Sequence, residues 1–167
     1  MPNIRHELLI EAPAEKIFDA ITTQEGVAGW WAPGATTKPE RGAVARIPFG
    51  PDYFKRMRVD ELAPGKLVRW TCLEGADEWI DTRLSFEIEG GGAEALSRAH
   101  DEIDGQVEQL NHADKATLVI FHHDGWRAET PMFGECNYTW GRFLRSLKLY
   151  CETGKGRPHP NQHRVDS

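Results

Sequence analysis

Cysteine is scarce in this chain, three in 167 residues, and no two of them form a CxxC pair. Cys136 and Cys151 fall on what reads as one helix, fifteen residues apart. At about 1.5 Å per residue they stand roughly 22 Å from each other and cannot bridge while that helix holds. None of the spacings resembles a zinc site. Free thiols suit a reducing compartment, and the opening MPNIRHELLIEAP carries no signal-peptide core, so a cytoplasmic location is expected. Long hydrophobic runs are missing too. Nothing approaches the roughly 20 apolar residues of a membrane span, so no membrane insertion is expected. Positive charge is not in excess either: a net charge of -6 and a pI near 5.6 argue against a nucleic-acid partner, since phosphate binding needs a basic surface. Lys55, Arg56 and Arg58 could still form a local basic patch. Gly90-Gly91-Gly92 lacks the Lys-Ser/Thr of a phosphate loop, and neither a nucleophile elbow nor an internal repeat is present. No cofactor and no metal are implied.

What is there begins with one long helix. From Thr130 to Thr153 the apolar residues Phe133, Cys136, Trp140, Phe143, Leu144, Leu147 and Cys151 fall on one stripe, opposite Glu135, Tyr138, Arg142 and Arg145. Thr130 can cap the first turn, Pro131 suits the first helical position, and Gly154 with Pro158 supplies a stop. Upstream, Asn3 to Glu11 alternates as a strand, with His6 on the side of Ile4, Leu8 and Ile10. That histidine reads either as a hydrogen-bonded structural group or as a catalytic one. Pro13 opens a short helix through Ile21, and Thr22 with Glu25 has capping-box spacing for a second one ending near Trp30-Trp31. Strands follow at Gly42 to Phe49, Tyr53 to Leu62, Leu67 to Leu73, Trp79 to Glu89 and Ala116 to His123.

The length fits one domain, residues 1–153, followed by a Gly-, Pro- and His-rich tail, 154–167, that is expected to be loose. His159 and His163 in that tail could bind a metal adventitiously. Residues 90–114 exceed what a hairpin needs. Their apolar residues recur at helical spacing and predict a mostly exposed helix interrupted by Gly105, readable as a lid, a dimer contact or a surface ornament.

One strand, two short helices, a run of antiparallel strands and a long final helix make an α+β architecture, a curved antiparallel sheet with the long helix packed across it. The residues that fill this frame resemble a START-like (SRPBCC) helix-grip domain. More narrowly they resemble the branch of homologues of the activator of the ninety-kilodalton heat-shock-protein ATPase, close to the polyketide cyclases. The resemblance is carried by Ile10 through Ala20, by Trp30-Trp31, by Val59 through Trp70, by Gly125-Trp126, and by Trp140 with Leu144, Leu147, Lys148 and Tyr150. It implies a cavity between sheet and helix and no shared catalytic set. The insert and the Pro-rich tail depart from the family pattern.

The expected lining of that cavity is Trp30, Trp31, Trp70, Trp79, His123, Trp126, Phe133, Asn137 and Trp140. Six tryptophans exceed what a small core needs, and adjacent Trp30 and Trp31 are not expected to point into one packed core. Asn137, flanked at helical spacing by Gly134 and Gly141, either aims its amide into the cavity or is solvated. Cys136 reads as a core thiol or, with a neighbouring base, as a nucleophile. His122 and His123 point to opposite strand faces, so at most one is inward and free for acid/base work, with Asp81, Arg83 or Glu87 nearby. The reading is a binder of a hydrophobic or aromatic small molecule, with a homodimer open. Two alternatives stand: a cyclase-like or hydrolytic enzyme in the same cavity, and a protein-interaction module acting on a chaperone ATPase.

Overall fold

A computed structural model describes residues 1–165. Six strands, β1 (Ile4–Glu11), β2 (Val44–Pro48), β3 (Phe54–Ala63), β4 (Leu67–Glu74), β5 (Arg83–Glu89) and β6 (Ala116–Asp124), form one antiparallel sheet in the order β1-β6-β5-β4-β3-β2. Register shifts in β3 at Arg56/Met57 and Val59/Glu61 are bulges, which bend a strand and sharpen its twist. The sheet therefore curves, and its inner face holds α1 (Ala14–Thr22), α2 (Gln24–Trp30) and α5 (Pro131–Thr153). Two smaller helices, α3 (Ala93–Ala99) and α4 (Asp104–Val107), lie between β5 and β6.

The long helix forms as its sequence dictates. The Thr130 side chain accepts from the Phe133 N–H at 3.2 Å, and Gly154, at φ 86°, closes the last turn by donating to the Tyr150 carbonyl. A left-handed φ at that position suits glycine. Trp140, Phe143, Leu144, Leu147 and Cys151 are buried, while Phe133 and Cys136 are half-buried. Several expected boundaries move, two of them for a visible reason. Thr23, rather than Thr22, caps α2 by accepting from the Gly26 N–H, and β5 starts at Arg83 because Trp79 to Thr82 forms a turn tied by Thr82 Oγ1 to the Trp79 carbonyl.

The segment between β5 and β6 is better anchored than its composition suggests. Ala93, Leu96 and Ile103 are buried against Leu9, Leu118 and Ile120, a second core on the sheet face turned away from α5. Each buried aliphatic side chain contributes about 1.5 to 3 kcal/mol. That placement, behind the sheet, is incompatible with a lid over a cavity under α5.

The same segment reaches the outer edge of β1. Gln106 accepts from the Leu9 N–H and donates to the Glu7 carbonyl, both at 2.9 Å, as a neighbouring strand would. Lys148 and Glu152, paired with each other on α5, complete the edge by bonding the Leu9 carbonyl and the Glu11 N–H. At the other edge, Arg46 of β2 exchanges both backbone hydrogen bonds with Thr36, and Pro48 has no N–H to offer.

The tail expected to be loose instead runs back over α2 and α5. The Ser146 hydroxyl, buried on α5, donates to the Trp30 carbonyl and accepts from the Arg157 N–H, while the His159 N–H donates to the Trp31 carbonyl. His163 stacks on Tyr138, and Arg142 holds the Gln162 and Arg164 carbonyls. Polar backbone contacts leave no apolar period, so the pattern that betrays a helix is silent here. Gly156 lies so close to its surroundings that a Cβ would stand 2.7 Å from the Gly29 oxygen and 2.8 Å from Ser146 Oγ. Gly156→Ala should therefore lift the tail at a cost of roughly 1 to 3 kcal/mol. Limited proteolysis should then cut beyond Lys155 while sparing the wild type.

Candidate functional site

Where the tail crosses α5, a cleft of about 240 Å³ opens between Trp31 at the end of α2, Phe49, Tyr53 and Lys55 around the start of β3, Trp79 in the turn before β5, and Trp140 and Phe143 of α5. Cys136, Thr139 and Glu135 of α5 and His159 and Gln162 of the tail complete it. A larger trough of about 710 Å³ lies between Leu149, Thr153 and the tail, but it has no aromatic wall. The aromatic cleft is the better candidate, because apolar walls with a few convergent polar groups characterise small-molecule sites.

Its floor is a tryptophan stack. Trp31 lies between Trp30 and Trp70, with ring centroids 5.7 and 5.9 Å away and planes within 10° and 6° of parallel. Trp140 is tilted against it at 5.3 Å. Both Trp30 and Trp31 are buried, contrary to expectation. Trp30 is the last residue of α2 and Trp31 its cap, and as that helix ends the two rings turn face to face. Trp30 donates its indole N–H to the Ala20 carbonyl and, like Trp70, lies behind the cleft wall.

His123 is inward and His122 outward, where it faces Glu87. Yet His123 does not reach the cleft. Trp140 Nε1 donates to His123 Nδ1 at 3.1 Å, so Nε2 carries the proton and donates to Thr82 Oγ1 at 2.8 Å, while the Thr82 hydroxyl donates to the Trp79 carbonyl. The ring sits against Trp79 and Trp126 at 4.5 and 4.9 Å. Burial first, and the nearby Lys55 charge second, push its pKa down to about 3. Both nitrogens are committed, so the neutral ring fastens β6 to α5 and to the turn before β5.

Of the expected lining, Trp31, Trp79 and Trp140 face the cleft, and Trp30, Trp70, His123 and Trp126 lie behind it. Phe133 packs edge-on to Trp126 outside it. Asn137 is exposed on the other flank of α5, where its Oδ1 and carbonyl lie within 3.2 Å of His6 Nε2. Asn137 therefore leaves the site because His6, on the edge strand, claims its amide. Cys136 lines the cleft, but its thiol accepts from Trp79 Nε1 at 3.3 Å and burial raises its pKa, which suppresses the thiolate.

Sequence reasoning missed Lys55. It stands beside Arg56 and Arg58 in a basic cluster, but the period of β3 turns Lys55 inward with Met57 and Val59 and the arginines outward. Its Nζ sits 4.0 Å from the Trp79 ring centroid, 4.5 Å from Tyr53 and 4.8 Å from Phe49, and donates to the Tyr53 hydroxyl at 2.7 Å. A cation over aromatic faces is attracted by their quadrupoles. Among the described residues, Glu7, His100 and Glu102 form a group able to hold a metal ion, on the side of the sheet away from the cleft. No helix is long and apolar enough to cross a membrane.

A curved antiparallel sheet gripping a long terminal helix over an aromatic cleft defines a helix-grip domain of the START-like class. Within that class the chain belongs to the family of Activator of Hsp90 ATPase homolog 1-like proteins, whose model matches residues 11–152. The Aha1 dimer from Colwellia psychrerythraea, known in solution, is similar at 30% identity and a TM-score of 0.72, over 93% of this chain and 100% of that one. DynU16, from the dynemicin biosynthetic locus, is similar in fold at 20% identity and a TM-score of 0.66, over 92% of this chain and 48% of that one. CalU16 from Micromonospora echinospora gives 13% identity and a TM-score of 0.64, over 89% of this chain and 73% of that one. No curated protein matches the chain.

Proposed function

We propose that this protein binds a hydrophobic or aromatic small molecule in the cleft between β3, α5 and the tail. The observation that carries this reading is the cleft itself, about 240 Å³ walled by six aromatic side chains with few polar groups. That volume lies below the roughly 300 to 1,000 Å³ of drug-sized sites, so it suits a compound of one or two rings. The fold shared with DynU16, a protein of the dynemicin biosynthetic locus, supports a small-molecule role. Binding is favoured over turnover because the two groups most suited to chemistry are occupied, His123 in its hydrogen-bond chain and Cys136 beneath Trp79. The Colwellia Aha1 dimer supports a homodimer here too. Titration with one- and two-ring aromatic compounds should quench the fluorescence of the Trp31 and Trp140 cluster and raise the unfolding midpoint with ligand concentration, as mass action requires. A midpoint unmoved by every compound at millimolar concentration removes the binding reading.

A further inference from the structure

Resting on that binding reading, we infer that the ligand carries an acidic group, a carboxylate or phenolate, held by Lys55 and Tyr53 at the cleft wall. Lys55 is only 8% exposed, and among the described residues no ion pair joins it to a carboxylate. A buried ammonium ordinarily has such a partner, because desolvating an unpaired charge is costly. Three aromatic faces and one phenol supply part of the compensation. They supply no negative charge, and a lysine has three N–H donors.

Tyr53 points the same way. Its oxygen accepts from Lys55 Nζ at 2.7 Å and from the Ala76 N–H at 3.1 Å. Its own hydroxyl proton has no acceptor among the described residues, and Tyr53 is 38% exposed, so this proton and the remaining ammonium donors of Lys55 are open at the cleft wall. The carboxylate in the lining, Glu135, is directed instead to Thr139 at 2.8 Å and to His163 at 3.9 Å, on the tail side. Structural packing of the lysine stem does not explain the placement of the ammonium on the wall of an aromatic cleft, beside a phenol with a proton to give. An anion attached to an aromatic body satisfies both donors and fills the cleft. Charge-assisted hydrogen bonds of this kind are about twice as strong as neutral ones.

The test compares 2-naphthoate with 2-naphthalenemethanol, the same ring system with and without the charge, by calorimetric titration of the full chain. Wild type should bind the acid about ten-fold or more tighter than the alcohol, the increment of a hydrogen bond to a charged group. Lys55→Met, which keeps the stem and removes the charge, should abolish the preference for the acid, weakening it far more than it weakens the alcohol. Tyr53→Phe, a milder change that controls for misfolding, should weaken the acid alone. Equal affinity of wild type for both compounds, or an acid affinity indifferent to Lys55→Met, overturns the acidic-ligand inference while leaving the cleft a binding site. Binding of neither compound also overturns the acidic-ligand inference, and the wider titration with one- and two-ring compounds then decides the binding reading.

Discussion

Replacing Trp31 with alanine should destabilise the protein by about 3 to 5 kcal/mol, the usual range for a buried aromatic cut back to Cβ. Trp31 is 1% exposed and lies at the centre of the stack, parallel to Trp30 on one side and Trp70 on the other, with Trp140, Phe49 and Phe143 around its edge. Aromatic pairs add about 0.5 to 1.5 kcal/mol beyond the area they bury, and this ring takes part in five. The void it leaves opens into the cleft, so the surroundings cannot close it without moving α2 or α5. Trp31→Phe, which restores part of the ring, should recover more than half of the loss. Urea denaturation of the three proteins decides the matter. A loss below about 1 kcal/mol for the alanine variant would mean that the neighbouring rings collapse into the gap, and that the stack is not what fixes the cleft.

Stability should fall as the medium is acidified, well before most carboxylates titrate, and His123 sets the window. Its folded pKa is near 3 against an ordinary 6.5. The folded state therefore refuses a proton that the unfolded chain accepts. The stabilisation is complete above about pH 6.5 and is lost as pH falls toward 3, at about 1.4 kcal/mol per unit. Summed across that window, it amounts to roughly 3 to 5 kcal/mol. His159, whose pKa burial also lowers, contributes in the same sense. Denaturation at pH 7, 6 and 5 should show the decline. His123→Gln, whose amide can accept from Trp140 and donate to Thr82, should remove most of the slope while retaining the fold. Nitrogen chemical shifts of a His123 ring still neutral at pH 5 give an independent check. A flat profile between pH 7 and 5 contradicts this account.

The sequence was most legible where one period ran unbroken between a start and a stop. The stripe of α5, bracketed by Thr130 and Gly154, and the alternation through Leu84, Phe86 and Ile88 place the helix and the sheet under it. The cleft was half legible. Trp31, Trp79 and Trp140 announce themselves by size, but which face of a wall a large ring presents depends on neighbours distant in sequence, as with Trp70 behind Trp31. Asn137 stayed open between cavity and solvent because the partner that decides it, His6, is 131 positions away. Lys55 was visible in principle: residues 55, 57 and 59 share one face of β3, and a lysine in register with Met57 and Val59 is the kind of exception that marks a site. Proximity to Arg56 and Arg58 concealed it. The tail carried no apolar period, and Gly156 gave its one signal.

The two sealed margins of the sheet limit how this molecule can meet another copy of itself. Gln106, Lys148 and Glu152 occupy hydrogen-bonding positions outside β1, Thr36 occupies those of Arg46 outside β2, and Pro48 within β2 has no N–H to offer. An incoming strand would first have to evict them, giving up bonds it can at best replace. Any assembly of this chain should therefore dock side chain against side chain and leave the sheet at six strands. The same plugs should keep a crowded solution of the folded protein from growing fibres by strand addition.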